Sequence, residues 1–298
     1  MFERNVDMTN KENAARFVSK YEDKLSCPIC QSKMQVTDFK SIVCTSNHTF
    51  DFAKQGYVNM LNQAGKSQYD KALFHARQGI IMDSNLYSVL HKRIIEVMKK
   101  NMGISNEETF ILDAGCGEGS HLQSILDKSK LEEMTSFGLD ISKEGVLMAA
   151  KNYKNAVWIV GDLAHAPLID HSMQFILNIL SPANYMEFKR ILAFGGLVIK
   201  VVPGPNYLKE LREALYNETE KSHYENQETT SLFKQHFDLV NLENLTYTKE
   251  LSQSELMNLV QMSPLHWSAE KERIDTFTNQ HASEITVDLD ILIGQNKK

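Results

Sequence analysis

No apolar run in this 298-residue chain approaches the roughly 18 residues that a membrane-spanning helix needs. No apolar stretch follows the polar start MFERNVDMTNKENAARF, so a secretory signal is not expected and the start reads as a short helix. No internal repeat and no low-complexity tract is present. Cysteines are scarce, four in all. The cytoplasm is the expected compartment, and there thiols serve more often as metal ligands or inert fillers than as disulfides. What remains is an ordinary globular composition, 42% apolar and 23% charged. Its length suits two domains, or one large domain with an appendage.

The net charge of −6 is unevenly spread. Residues 1–100 carry 15 Lys/Arg against 10 Asp/Glu, residues 101–204 carry 8 against 12, and residues 205–298 carry 9 against 16. Only the first third is basic, so a polyanion such as RNA would be met there, although an excess of this size also arises by scatter.

Three of the four cysteines fall within residues 27–44, and a histidine follows. Cys27-Pro-Ile-Cys30 is C-x2-C and Cys44-Thr-Ser-Asn-His48 is C-x3-H. Two knuckles brought together by a hairpin offer four ligands to one tetrahedral ion, which suits a structural zinc. The segment KMQVTDFKSIV between them alternates like short strands. A redox pair would not need Cys44 and His48, and no strand-helix context surrounds Cys27; unliganded core thiols are the other alternative. So few apolar residues surround the cluster that it is expected to fold only with its metal.

Residues 61–70 read as a linker or mobile loop. Leu86, Leu90, Ile94 and Val97 then recur at helical spacing. From Thr109 the chain alternates: strands at TFILDAG, TSFGLD, AVWIVGD, SMQFILNIL and GGLVIKVV, helices at SHLQSILDKSK, KEGVLMAAKNY, NYMEFKRIL and NYLKELREALY. That is the pattern of a doubly wound α/β sheet. FDLVNLENLTYTKEL and EITVDLDILIG read as two further strands, antiparallel at the sheet edge.

The first of these strands runs into Asp113-Ala114-Gly115-Cys116-Gly117-Glu118-Gly119. Glycines permit a tight turn and let backbone N–H groups approach a ligand. D-x-G-x-G-x-G differs from the dinucleotide fingerprint G-x-G-x-x-G and is the form associated with S-adenosylmethionine (SAM). Asp140 ends the second strand, where a carboxylate accepts ribose hydroxyls, and Asp162 ends the third, where an acid meets the adenine amino group. Each aspartate alone would serve as well as a helix cap or turn residue. Cys116 reads as a small loop filler.

From about residue 24 to its end the sequence resembles the 23S rRNA (guanine-N1-)-methyltransferase family of the RlmA type. The segments that carry the resemblance are CPIC with C-x3-H, FDFAKQGYVN, DAGCGEG, FGLDISK, SPAN, FGGLVIKVVPGPNYLKEL and LVQMSPLHW. It implies a Rossmann-like class I SAM-dependent methyltransferase domain with an N-terminal zinc-binding domain, and methyl transfer to guanine N1 in a hairpin of 23S rRNA. The implied boundaries are an extension over 1–22, the zinc-binding RNA-recognition domain over 23–60, a linker and helix over 61–84, and the methyltransferase domain over 85–298. The family's zinc ligands fall on Cys27, Cys30, Cys44 and His48. Its SAM contacts fall on Gly117 and Glu118 and, by position, on Tyr87 and Tyr207, beside the Asp113, Gly115, Gly119, Asp140 and Asp162 read above. A homodimer is compatible with the family, and no membrane partner is implied.

Guanine N1 carries a proton that must leave, so a base or a shaped polar pocket is expected. Asn178 is a candidate to face the base, or else a sheet-end cap. His266 and Trp267 are candidates to line the pocket, or else a surface histidine and a core tryptophan. Lys66, Arg77, His91, Lys92 and Arg93 are candidate phosphate contacts, or else charges on solvated helix faces. Two other functions fit the same motifs: a small-molecule methyltransferase whose zinc knuckle is a folding staple, and a non-catalytic RNA- or protein-binding module that holds SAM.

Overall fold

The computed structural model describes residues 8–61, 69–102, 108–131, 134–216 and 226–296. Lys66 and most of the linker expected over 61–70 lie outside them. Five strands run parallel at the centre of an eight-stranded sheet: β5 (Thr109–Ala114), β6 (Met134–Asp140), β7 (Ala156–Val160), β8 (Met173–Ile179) and β9 (Leu192–Pro203). β4 (Val58–Asn59) adds in parallel beside β7, and the ribbon of β10 (Phe237–Ser252) and β11 (Ala282–Asn296) adds antiparallel beside β9. The spatial order is β10-β11-β9-β8-β5-β6-β7-β4. The order reverses between β5 and β8, and the carboxyl ends of strands at such a reversal form the usual ligand crevice of open α/β sheets. The antiparallel edge expected from the last two apolar runs is present.

Central strands are apolar on both faces because both are covered. Ile111, Trp158, Phe175 and Leu177 feed one core, and Leu112, Val157, Ile159 and Ile176 feed the other, as a period of two requires. The first core is covered by α3 (Ser88–Asn101), α4 (Ser120–Ser129), α5 (Lys143–Asn152), α7 (Lys209–Leu215), α9 (Gln253–Met262) and α10 (Lys271–Thr278). The second is covered by α6 (Tyr185–Ile191) and α8 (Gln227–His236), under β8, β9 and β11.

No α-helix joins β7 to β8, only a 3-10 turn over Leu163–His165. The face that such a helix would cover is filled instead by the N-terminal segment. β1 (Met34–Thr37), β2 (Ser41–Cys44) and β3 (Thr49–Asp51) make a small antiparallel sheet, with α1 (Asn10–Val18) beside it. Leu25, Ile42, Phe50 and Phe52 share one core with Leu112, Phe137, Leu139 and Ile159. The backbone is tied in as well: Ser26 N–H donates to Pro167 O at 3.1 Å, and Ile169 N–H donates to Lys24 O at 3.0 Å. The metal-binding module therefore does not lack an apolar core. It shares that of the main sheet.

α2 (Lys71–Gln78) is capped by Asp70, whose side chain accepts from Leu73 N–H. It packs on α9 and runs into a π-helical turn over Gly79–Asp83, a local irregularity common near functional sites.

Candidate methyl-donor pocket and zinc site

The four expected metal ligands converge, with their donor atoms all within 4.8 Å of one another. Cys27 Sγ and Cys44 Sγ each lie 3.4 Å from His48 Nδ1, and Cys30 Sγ lies 3.7 Å from Cys44 Sγ. With Zn–S near 2.3 Å and Zn–N near 2.0 Å, the edges of a tetrahedron are about 3.5–3.8 Å, so these residues fit zinc. Both knuckles are closed by backbone bonds, Gln31 N–H to Cys27 O at 2.7 Å and Asn47 N–H to Cys44 O at 2.8 Å. Four protein donors would fill the coordination of a tetrahedral zinc, which suits a structural site.

The glycine loop links β5 to α4. Gly115 has φ +81°, and a β-carbon there would fall 1.8 Å from Ser181 Oγ, so the loop and the segment after β8 approach too closely for any side chain. Gly119, also at φ +81°, meets the ring of Trp158 in the same way. The loop borders a cavity of about 960 Å³ at the carboxyl ends of the strands. Of the residues expected to hold the donor, Tyr87, Gly115, Gly117, Asp140, Asp162 and Tyr207 line it. Asp113, Glu118 and Gly119 do not, and sit one layer below.

Asp140 accepts from Gly117 N–H at 2.8 Å and from Ser142 N–H at 2.7 Å, which fixes the loop against the end of β6. Burial raises its carboxyl above the usual range, partly offset by those two donors. Asp162 accepts from Ala164 N–H at 2.8 Å, so it caps the 3-10 turn while its residue borders the cavity. Tyr87 and Tyr207 share a hydroxyl–hydroxyl hydrogen bond of 2.5 Å, and burial holds both phenols above their ordinary value.

Arg77 pairs with Glu118, whose side chain is fully buried. The arginine therefore is not a phosphate contact on a solvated face, because it neutralises a carboxylate under the glycine loop. Two oxygens nearby, Asp113 Oδ2 and Glu118 Oε1, are buried without a hydrogen-bond partner. Burial pushes the Asp113 carboxyl up to about 7, opposed by Arg77 and reinforced by Asp140. A cationic, amino-bearing ligand with ribose hydroxyls suits this acidic and unsatisfied environment.

Other expected residues are placed differently. His91 is buried and bonded through Nε2 to His121 Nδ1 at 2.8 Å, and burial, then Lys128 and Arg77, push it down to about 3. It is a neutral core group, not a phosphate contact. Arg93 is held by Glu96 at 2.9 Å and Glu243 at 2.7 Å, while Lys92 stays exposed. Asn178 does not line the cavity: its Nδ2 donates to Ala114 O at 2.7 Å and Pro182 O at 3.0 Å, the sheet-end alternative. His266 and Trp267 also lie outside the lining. His266 Nδ1 meets Ser263 O at 2.6 Å, and Trp267 is 45% exposed rather than core, its ring 5.6 Å from that of Tyr69. Sequence reasoning passed over His121 and Lys200, which do line the cavity. A lysine inside the apolar strand GGLVIKVV was the available signal for the second.

Comparison with known proteins gives the same two parts. A family model described as "RlmA, N-terminal", a zinc ribbon, matches residues 25–67, and one described as "Methyltransferase domain" matches residues 111–204. A protein of Bacillus subtilis (strain 168), provisionally named as a 23S rRNA (guanine-N1-)-methyltransferase, is 40% identical over 90% of this chain and 95% of its own. The chain belongs to the RlmA-type 23S rRNA (guanine-N1-)-methyltransferase family. The 23S rRNA (guanine(748)-N1)-methyltransferase of Streptomyces fradiae is 32% identical over 84% of this chain and 88% of its own. Family membership brings a Rossmann-like methyltransferase domain that uses SAM and a structural zinc. Among the described residues, no helix is long and apolar enough to cross a membrane.

Proposed function

We propose that this protein is a cytoplasmic SAM-dependent enzyme that methylates N1 of a guanine in a hairpin of 23S rRNA, acting as a homodimer. The observation that carries the reading is the joining of a four-ligand zinc ribbon to a glycine-loop cavity within one shared core, in a chain whose relatives bear that activity in their names.

Bound SAM supplies an electrophilic methyl group on a sulfonium sulfur. The chain's own residues do the rest. Gly115 and Gly117 bring the backbone against the donor, Asp140 takes ribose hydroxyls, and Asp162 meets the adenine amino group. Tyr87 and Tyr207 close the cavity wall with a shared hydrogen bond, and Asp113 and Glu118 each keep an unpartnered carboxyl oxygen beneath the donor's amino end. Cys27, Cys30, Cys44 and His48 hold the zinc. Reaching N1 requires the Watson–Crick edge, so the target base must be looped out or flipped. Basic residues of the first hundred positions other than Arg77, His91 and Arg93 carry the phosphate contacts, and the extension over 1–22 and the module over 23–60 act as one recognition unit.

Primer extension on 23S rRNA from cells with and without the protein tests this directly. N1 methylation blocks pairing, so a reverse-transcription stop at one guanine is expected only when the protein is present. A SAM-dependent turnover confined to small molecules would instead favour the zinc as a mere staple. Size-exclusion chromatography with light scattering tests the dimer.

A further inference from the structure

If the donor seats against the glycine loop, Asp140 and Asp162, an in-line acceptor must approach along the part of the lining that those residues leave free. The segment after β8 and the end of β9 border that part, and the one amine there is Lys200. Lys200 borders the cavity yet is only 5% exposed. Its Nζ donates to Asn178 Oδ1 and to Ser181 O, each at 2.5 Å. Asn178 is itself fixed through its amide nitrogen to Ala114 O and Pro182 O, so its oxygen has one orientation. Both partners of Nζ are neutral oxygens. Among the described residues Lys200 makes no salt bridge.

We propose that Lys200 is the general base of the reaction, taking the guanine N1 proton onto Nζ. This rests on the guanine-N1 reading above. A neutral amine has two hydrogens and one lone pair; the two oxygens take both hydrogens and leave the lone pair for a substrate proton. Burial alone brings this amine down to about 8, which leaves part of it neutral near pH 7.

No ionisable group on the elements packed around it is a hydrogen-bond partner of Nζ. β8 carries none. On β11, Asp290 accepts from Asn226 and Asn244, and Asp288 accepts from Asn244, Thr246 and Asn206 N–H. On α6, Glu187 pairs with Arg190, and burial pushes the Tyr185 phenol up to about 12. Asp113 on β5 does not reach the cavity. Glu228 on α8 and Asp162 at the rim are exposed. His121 reaches the cavity from the other core, but burial, Arg77 and His91 keep its imidazole well below its usual value, too weak a base for this proton.

In the step, the N1–H bond breaks and its electron pair stays on the guanine, shared with O6, while the proton joins the Nζ lone pair. The pair on N1 then forms the bond to the methyl carbon as the methyl–sulfur bond breaks with its electrons on sulfur. Solvent finally removes the proton from the ammonium.

The test is single-turnover methylation of an unmodified 23S rRNA transcript by the zinc-loaded protein, with product nucleosides identified. The wild-type rate is expected to rise about tenfold per pH unit up to a plateau above about pH 8. Lys200→Met is expected to lose roughly 10²–10⁴-fold in rate together with the inflection. Its SAM affinity should stay within about threefold of wild type. Lys200→Arg keeps the charge and the donors but cannot accept the proton, so it should be as slow; near-wild-type turnover by this variant overturns the proposal in favour of a purely positioning role. A second readout needs no turnover and no foldable variant. In lysine labelled at Cε, the resonance assigned to Lys200 should titrate near 8 in the SAM-free protein. A midpoint above about 10, that of an ordinary lysine, overturns the proposal. If wild-type protein yields no N1-methylguanosine, the substrate reading itself has failed, a result the product analysis separates from a failure of Lys200.

Discussion

Four zinc ligands lie within the 22 residues from Cys27 to His48, whereas the lining of the cavity runs from Tyr69 to Pro264. One site is made by local spacing and completed by an ion. The other is made by the sheet, which brings distant turns to one edge. The two are nonetheless joined, since Leu25, Ile42 and Phe52 lie in the core that also holds Leu112 and Leu139, at the roots of the glycine loop and of Asp140. A local site can therefore support a distributed one through a shared core, although one is closed by neighbouring ligands and the other by the whole sheet. Each experiment below acts on one side of that asymmetry.

The largest effect is expected from removing the metal. Zinc contributes roughly 10 kcal/mol or more to the folding of small modules that depend on it. Here the module also covers one face of the sheet between β7 and β8. Chelation, or Cys27→Ser, should therefore lower the melting temperature by more than about 10 °C and weaken SAM binding as well. Calorimetry with and without chelator measures both. Unchanged SAM affinity in zinc-free protein would separate the two sites.

Next is the ion pair under the glycine loop. Breaking a buried pair by removing one partner costs about 3–5 kcal/mol, because the other charge is left uncompensated. Arg77→Met should therefore destabilise the chain by that order and abolish SAM binding, with zinc content unchanged. The double variant Arg77→Met/Glu118→Gln should recover part of the stability, as a denaturant series would register. Smaller again is Asp140→Ala, which removes the acceptor for two backbone N–H groups and the expected ribose contact. A loss of about 10–100-fold in SAM affinity is expected, with a smaller fall in melting temperature than Arg77→Met gives.

The same asymmetry decides what the sequence disclosed. Knuckle spacing and the motif Asp113 to Gly119 lie in consecutive residues, so chemistry could be read from them directly. The parallel strands were legible because burial on both faces makes them continuously apolar. α8, α9 and α10 were passed over: α8 and α10 contribute one buried residue each, Phe233 and Phe277, whereas Leu256, Leu259 and Val260 of α9 do recur at helical spacing and were a legible signal. Arg77 and His91 were misjudged because a helical wheel gives the period but not which face meets the core. That the zinc module replaces the helix missing between β7 and β8 could not be inferred, since it is a relation between segments over a hundred residues apart.

The smallest effect concerns acid, and it belongs to the cavity side alone. His91 and His121 are both held below the ordinary imidazole value, chiefly by burial, so the folded chain stays unprotonated where the unfolded chain takes up protons. Groups with a lowered folded pKa bind more protons when unfolded, so stability falls as pH drops below about 6.5 and continues to fall toward the folded value near 3. Each histidine contributes a slope of about 1 kcal/mol per pH unit in that window. His91→Gln keeps a hydrogen-bonding partner for His121 and removes one titrating group. Between pH 7 and pH 5 its melting temperature should therefore fall less steeply than that of the wild type, by one histidine's share. Equal slopes in the two proteins would mean that His91 already carries its proton in the folded state, and the packing of α3 on α4 would then have to accommodate a charge.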